Sequence, residues 1–388
     1  MQPETERLGS LAAELFGRRH ARPGDVFMNV LEKEGAIIAP GVYNAMGAHI
    51  AKEIFTQSLM QGRSCSFNAV YGSGWAISAM AWRKPDMGFH DLSMMTLIGK
   101  HIIYSAHPLP VIFDAETGFG NRLTLTQTVQ TYDEIGVALA HLEDQDAEEV
   151  RRCGNLRGKT CIPPGHMVEK IKSWLVTSKA CNTSMRLMVR TDSLTAANGG
   201  LEDAIERGKR YMDVDYQGVR PTVLWADAMM DLRLIEKWAD AMHRHDPTMI
   251  LGINYSPNKD WTGHYRKTYN RDPPTYAELR DLGFRVIWHT ILQARADMEA
   301  SWKVIEDMAV DGAEALWKLH ERQRNHPVGN TQRMSGADNW QEFEQRIGGA
   351  DAVQRFEISE GYVSQKMYPA GASSTAAMEE SAGKKDQP

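Results

Sequence analysis

Cysteine is scarce in this chain: Cys65, Cys153, Cys161 and Cys181 are the only four among 388 residues. None lies in a CxxC pair, which excludes a zinc ribbon, and a chain this long needs no disulfide framework to hold a core. A reducing, cytoplasmic setting is the expectation. Long hydrophobic runs are missing too, since nothing approaches the roughly 18 consecutive apolar residues of a membrane span. Basic runs are equally absent: 44 basic residues face 50 acidic ones, for a net charge of -6. That balance argues against nucleic acid or an anionic membrane as the principal partner. The stretch Met1–Gly17 carries Glu4, Glu6 and Glu14 among its apolar positions. This is the pattern of an amphipathic helix and not of a secretory leader.

Eight short apolar or β-branched runs recur along the chain: Ala36–Pro40, Asn68–Tyr71, Leu109–Phe113, Val137–Leu142, Leu187–Arg190, Pro221–Trp225, Met249–Ile253 and Phe284–His289. Segments of helical periodicity, such as Leu232–His243 and Tyr276–Leu282, lie between them. Strand alternating with helix implies parallel pairing, and eight units predict a closed (β/α)8 TIM-type barrel, an α/β fold. A doubly wound open sheet would want a glycine fingerprint after the first strand, and Ala39–Asn44 is not one. The predicted organisation is an N-terminal helical segment over 1–30 and a barrel over 31–305. A helical C-terminal arm over 306–369 and a small, polar tail over 370–388 follow.

The residues that follow the strands carry the chemistry. Ser73, Asp114 with Glu116, Glu143 with Asp144, Arg190 with Asp192, Asp227, Asn254 with Ser256, and Thr290 stand at or just beyond strand ends. A single Asp there is ordinarily a helix N-cap. Polar groups at seven consecutive strand ends point instead to one shared site, because all C-terminal strand ends of a barrel face one mouth. In Val111–Asn121, an apolar strand delivers Asp114 and Glu116, and Gly118 and Gly120 then permit a sharp turn. Two such carboxylates suit a hard divalent cation such as Mg²⁺. Glu143 would hold a metal-bound water, the alternative being that Glu143 and Asp144 form a solvated strand end. Cys153 lies among Arg151, Arg152, Arg157 and Lys159, a setting that favours a thiolate. Cys65, Cys161 and Cys181 read as small core residues. Asn254, Ser256 and Asn258 alternate along a strand exit and offer neutral donors to a carboxylate. A turn built on Ser-Pro-Asn is the alternative there. Arg190 and Arg122 offer a charged clamp for a second carboxylate.

With these residues in view, the chain resembles the isocitrate lyase/phosphoenolpyruvate mutase superfamily, and within it isocitrate lyase, from about Ile37 to Val304. Ala69-Val-Tyr-Gly-Ser-Gly-Trp75 is similar to the glyoxylate-binding strand end, which implies substrate roles for Ser73, Gly74 and Trp75 and a catalytic role for Tyr71. The resemblance implies that Asp114 ligates Mg²⁺ (or Mn²⁺), with Asp86, Glu116 and Glu143 holding its waters. It places Cys153, with Gly154, on the catalytic flexible loop and Arg190 on a substrate-carboxylate arginine. Trp225, Asp227, Asn254, Ser256, Asn258 and Thr290 fall on further substrate-pocket positions. Where the lyase loop reads Lys-Lys-Cys-Gly-His, this chain reads Arg-Arg-Cys-Gly-Asn, with Asn155 in the histidine's place. Asp227 stands for a glutamate, and Asn258 for a serine. Three changes around one pocket point to a different 2-hydroxy acid. Glu143-Asp-Gln145 lacks the lysine carried there by phosphonomutases, which speaks against mutase chemistry.

The resemblance implies Mg²⁺-assisted retro-aldol cleavage of an isocitrate-like or alkyl-substituted 2-hydroxy di- or tricarboxylate. The products would be a 2-oxo acid (glyoxylate or pyruvate) and a carboxylate, with Cys153 as the acid. Alternatives are a changed reaction on the same fold, such as an oxaloacetate-type hydrolase, or a catalytically impaired binding relative. It also implies a homotetramer, or a dimer, with exchanged C-terminal helices.

Overall fold

The computed structural model describes residues 8, 9, 11, 12, 22–149, 151–154 and 156–348. Eight parallel strands close into a barrel: β1 (Ile37–Val42), β2 (Val70–Gly72), β3 (Val111–Asp114), β4 (Leu139–Glu143), β5 (Arg186–Thr191), β6 (Val223–Ala226), β7 (Ile250–Asn254) and β8 (Phe284–His289). Closure runs through β1 and β8, where Ile37 stands opposite Val286 and Ala39 opposite Trp288. All eight predicted runs are strands, with ends displaced by at most a few residues. In β2 the strand starts two residues later than predicted, at Val70, and Asn68 acts as a latch and not as a strand residue. Its amide accepts from the Ile38 N–H at 2.9 Å and donates to the Ala36 carbonyl at 2.9 Å.

Strand side chains alternate between two cores. Leu187 and Val189, Leu224 and Ala226, and Leu251 and Ile253 face outward onto the helix layer. Ile112, Leu139, Met188, Val223, Trp225, Val286 and Trp288 fill the barrel interior. This period of two has a direct consequence for the site. Two residues beyond the interior Ile112 stands Asp114, beyond Leu139 stand His141 and Glu143, and beyond Met188 stands Arg190. Trp225 is followed in the same column by Asp227, and Trp288 by Thr290. The interior is closed below by the helix Pro23–Glu34, whose Phe27 and Leu31, one turn apart, are fully buried in the same core. Burying each contributes about 1.5–3 kcal/mol.

The predicted helices near 232 and 276 run Leu232–His245 and Tyr276–Asp281. The first starts at Asp231, whose carboxylate accepts from the Arg233 and Leu234 amides, and the second at a Thr275/Glu278 capping box. The chain divides into two compact units, 19–296 and 297–388 with 1–18. The second unit contributes the helices Glu314–Gln323 and Ala337–Gly348, together with most of Leu292–Asp311. Most of the predicted Met1–Gly17 helix and the 370–388 tail lie outside the described residues. No helix among the described residues is long and apolar enough to cross a membrane.

Candidate active site at the barrel mouth

One wall of the mouth is acidic. Glu116 adopts a left-handed backbone (φ 52°), and its N–H donates to Asp114 Oδ1 at 2.9 Å. Asp114 thereby folds the strand exit back so that both carboxylates face inward. Gly118 and Gly120 complete the turn at φ 93° and 147°. Gly74, the first residue of the helix Gly74–Trp82, lies directly against this pair. A Cβ there would sit 2.5 Å from both Asp114 Oδ2 and Glu116 Oε1. Asp86 and Glu143 complete the cluster, and all four carboxylates are at least nine-tenths buried. The alternative of a solvated Glu143 and Asp144 is therefore excluded, since both are fully buried.

Arg151 is the counter-ion. Its guanidinium pairs with Asp86 and Glu116, and its Nε donates to Glu143 Oε1 at 2.7 Å. Burial pushes Glu116 up, and Glu143 up to about 8, against the pull of Arg151. Asp114 is also pushed up by burial, but His141, Arg151 and Arg190 outweigh it and hold the group below its ordinary value. Arg151 serves three of the four carboxylates, and Arg190, which also pairs with Glu143, is shared with Asp192 and Asp227, so the cluster is short of positive charge. Three ligand atoms, one each from Asp86, His90 and Glu116, lie within 4.8 Å of one another and could hold a metal ion. The hard oxygen donors and the Gly74 cradle both fit a divalent cation.

Beneath the acids, the Tyr71 hydroxyl meets His141 Nε2 at 2.8 Å, and His141 Nδ1 lies 3.5 Å from Asp114. Burial holds the imidazole down at about 4 and Tyr71 well above the ordinary phenol range. The pair is therefore neutral: the phenol donates to Nε2, and the ring proton on Nδ1 faces Asp114.

Arg190 links the two walls. It donates to both oxygens of Asp192 (2.7 and 2.9 Å), pairs with Glu143 Oε2 at 3.0 Å, and reaches Asp227 at 3.5 Å. Its guanidinium stacks over Trp225 at 4.3 Å from the ring centroid. Trp225 is 1% exposed and therefore supports Arg190 from below. Lys159, fully buried, pairs with Asp192 at 2.7 Å and Asp227 at 3.3 Å.

The loop bearing Cys153 is docked onto this network. Gln145 grips the Arg152 backbone twice, accepting from its N–H at 2.9 Å and donating to its carbonyl at 2.8 Å. Lys159 donates to the Gly154 carbonyl at 3.1 Å. Gly154 lies so close to Asp227 that a Cβ would fall 1.7 Å from Oδ2. Cys153 itself is half-buried. Asn155 lies outside the described residues.

The opposite wall is neutral. Thr290 Oγ1 donates to Asn254 Oδ1 at 3.3 Å or Ser256 Oγ at 3.4 Å, which brings three predicted residues together. Asn258 is exposed and meets this group through its backbone, its N–H donating to Ser256 Oγ at 3.3 Å. The turn alternative describes Asn258, and the shared-face expectation describes Asn254 and Ser256. Ser73 accepts from the Ala76 N–H at 3.2 Å as the cap of its helix, and Trp75 is half-buried beside it.

Other expectations are corrected. Arg122 is exposed and paired with Glu169, so it clamps nothing at the mouth. Arg151 and Lys159 do not surround the thiol with free charge, because both are turned inward onto carboxylates. Cys161 is buried, as expected, and donates to Asp144 Oδ1 at 3.3 Å. Cys65 is half-buried, and Cys181 is exposed because it caps the end of the helix Pro164–Ala180. His90, His141 and the inward role of Arg151 were missed. His141 was detectable, since it stands two residues before Glu143 on the same strand face. His90 and Arg151 sit on loops, where no periodicity marks direction.

An eight-stranded barrel with acids, an arginine and a cysteine loop at its C-terminal mouth has the architecture of a barrel enzyme whose functional groups gather at one face. The family model for phosphoenolpyruvate phosphomutase matches residues 27–309. The chain belongs to that family, within the phosphoenolpyruvate mutase/isocitrate lyase superfamily. It is 26% identical over 341 residues to the isocitrate lyase of Haloferax volcanii, covering 88% of this chain and 91% of that one. It is 35% identical over 291 residues to the chloroplastic carboxyvinyl-carboxyphosphonate phosphorylmutase of Arabidopsis thaliana (74% and 75%). A crystal structure of 2,3-dimethylmalate lyase superposes with a TM-score of 0.68 at 22% identity, covering 85% of this chain and 97% of that one.

Proposed function

We propose that this protein is a Mg²⁺-dependent carbon–carbon lyase. It would cleave an isocitrate-like or alkyl-substituted 2-hydroxy di- or tricarboxylate to a 2-oxo acid and a carboxylate. The observation that carries this reading is the pairing of an acidic wall at Asp86, Asp114, Glu116 and Glu143 with a neutral wall at Asn254, Ser256 and Thr290, with Arg190 between them. A divalent ion held by Asp114, with Asp86, Glu116 and Glu143 on its waters, would acidify the substrate hydroxyl and polarise the nascent carbonyl. Gly74 leaves room beside these acids for the reacting end of the substrate.

Arg190, held rigid by Asp192 and Trp225, orients a carboxylate; its reach to Asp227 is the longest of its pairings and the first to yield. Loss of the hydroxyl proton breaks the C–C bond, and the electron pair passes to the departing fragment as an enediolate. With a tricarboxylate the neutral wall takes that fragment's distal carboxylate, because Asn254, Ser256 and Thr290 hold one another only through long hydrogen bonds. Cys153 protonates the carbanionic carbon from the docked loop. The hydroxyl proton passes to solvent by way of a carboxylate of the acidic wall, and Cys153, which gives one proton to carbon, is reprotonated from solvent, so the cleavage balances. The Asn155, Asp227 and Asn258 positions support a substrate other than isocitrate itself.

The test is incubation with Mg²⁺ and a panel of isocitrate, 2-methylisocitrate and alkylmalates, trapping released 2-oxo acid as a hydrazone. A hydrazone from at least one substrate is expected, and none from any would overturn the reading. Oxalate from oxaloacetate would indicate a hydrolase instead.

The protein would work in the cytoplasm as a homotetramer or dimer. Trp302, Ile305 and Met308, spaced three residues apart, are 65–74% exposed on the helix Leu292–Asp311, an apolar face suited to a second copy. Light scattering of the full chain should give a multimer, and Met308→Glu should shift it toward monomer.

A further inference from the structure

We propose that a cavity at the end of the barrel opposite the mouth is a binding site for a small organic oxyanion, a carboxylate or a phosphate ester. The cavity, of about 250 Å³, is lined by the end of the helix Pro164–Ala180, the turn that follows it, the start of β5 and the residues leading into β6. Arg186 and Leu187 open β5, and Arg190 stands near its other end, so the cavity and the mouth lie at opposite ends of one strand. Drug-sized ligands occupy roughly 300–1,000 Å³, so this space suits a shorter molecule. Nothing in the site depends on the chemistry of the mouth.

Three donors in this wall are unused. Trp174 and Ser178 stand four residues apart on the helix and so share a face; the first is fully buried and the second 6% exposed. The indole Nε1, the Ser178 hydroxyl and Arg186 Nε have no hydrogen-bond partner among the described residues. A buried tryptophan N–H ordinarily finds an acceptor. A helical hydroxyl can bond back to the carbonyl four residues earlier, as the adjacent Thr177 does to Ser173 at 2.8 Å, but Ser178 does not. The hydroxyls of the turn are occupied: Thr183 donates to Asp133 and accepts from the Met185 N–H at 3.0 Å, and Ser184 accepts from the Gly24 N–H at 3.1 Å.

The charge of the lining has one sign. Lys179, Arg186 and Arg220 belong to it, and no acidic side chain does. Arg186 keeps Nη2 on Asp25 at 2.9 Å and Arg220 keeps Nε on Asp215 at 2.7 Å, which leaves Arg186 Nε over. The last helix carbonyls do not oppose an anion, because Thr177, Ser178 and Lys179 accept from the Cys181, Thr183 and Asn182 N–H groups. Exposed Lys179 and Arg220 would draw in an oxyanion, and the indole, the hydroxyl and Arg186 Nε would supply donors to its oxygens. Leu175, Met185 and Leu187 suit a short carbon chain attached to it.

The experiment is a titration of the full-length protein, ¹⁵N-labelled at tryptophan, with inorganic phosphate and separately with acetate, following the Trp174 indole N–H by nuclear magnetic resonance. Trp174→Phe identifies the resonance. A saturable downfield shift of that proton is expected with at least one of the two anions, and the tighter of them separates a phosphate ester from a carboxylate as the natural ligand. Chloride at matched ionic strength should leave the resonance in place. Ser178→Ala should weaken the anion about tenfold, the effect of one hydrogen bond to a charged group. Arg186→Lys, which keeps a cation for Asp25 but has no Nε, should weaken it by at least about tenfold. Circular dichroism separates misfolding from lost binding, and if one variant does not fold the other decides. Ser178→Ala deletes a group without a partner and should keep the wild-type thermal midpoint. No shift with either anion, an equal shift with chloride (an adventitious ion only), or an unchanged affinity in a folded variant would overturn the proposal.

Discussion

The two walls of the mouth are built on opposite plans. The acidic wall is built from buried ionisable groups, most of them tied to an oppositely charged neighbour: Arg151 to three carboxylates, Arg190 to Asp192 and Glu143, Lys159 to Asp192 and Asp227. On the neutral wall three short side chains meet at 3.3–3.4 Å, near the outer limit of a hydrogen bond. A charged wall is expensive to disturb because a broken pair leaves a desolvated charge behind. A neutral wall gives up little when a ligand takes over its donors. The acidic wall is thus suited to hold fixed positive charge, and the neutral wall to exchange its bonds for a substrate's.

Three substitutions probe that contrast. The largest effect belongs to Arg151→Met, which leaves Asp86, Glu116 and Glu143 facing one another. Without divalent ions it should lose about 3–5 kcal/mol of stability, read as a lowered denaturant midpoint. Millimolar Mg²⁺ or Mn²⁺ should restore part of the loss by binding only the folded state. A midpoint indifferent to both mutation and metal would mean the wall is not electrostatically built. Next is Gly154→Ala, whose added methyl meets Asp227. The loop cannot then seat, and kcat/KM should fall by about 100-fold with little change in thermal midpoint; full activity would show that docking on Asp227 is dispensable. Smallest is Thr290→Val. Removing one weakly bonded hydroxyl should raise KM by only about three- to tenfold, corresponding to a net hydrogen bond of about 1 kcal/mol. A loss as large as that of the loop variant would erase the distinction between the walls.

The same contrast explains what could be read from the amino-acid order. Strands such as Leu139–Glu143 and Val223–Ala226 are buried on both faces, so they appear as short continuous apolar runs, and the polar residue that ends each run marks the mouth. Asp114, Glu116, Arg190, Asn254, Ser256 and Thr290 were legible for that reason. Periodicity also contained His141, two residues before Glu143. The charge pairing was not legible. Arg151 reaches Asp86 across 65 positions, and Lys159 reaches Asp192 across 33, between loops whose direction no repeat encodes. A row of cations around Cys153 therefore looked like activation of a thiol, whereas two of those cations neutralise the carboxylates below it. Asn258 failed for a related reason: strand alternation was extended through a proline, where a turn had already begun.

The most direct test of the central claim is cleavage in D₂O, comparing wild type with Cys153→Ser and following both products by mass spectrometry. The account predicts a 2-oxo acid together with a carboxylate carrying one new deuterium, formed only with a divalent ion and reduced about 100- to 10,000-fold in the serine variant. Undiminished deuterium incorporation by Cys153→Ser, or no 2-oxo acid from any 2-hydroxy di- or tricarboxylate, would contradict it.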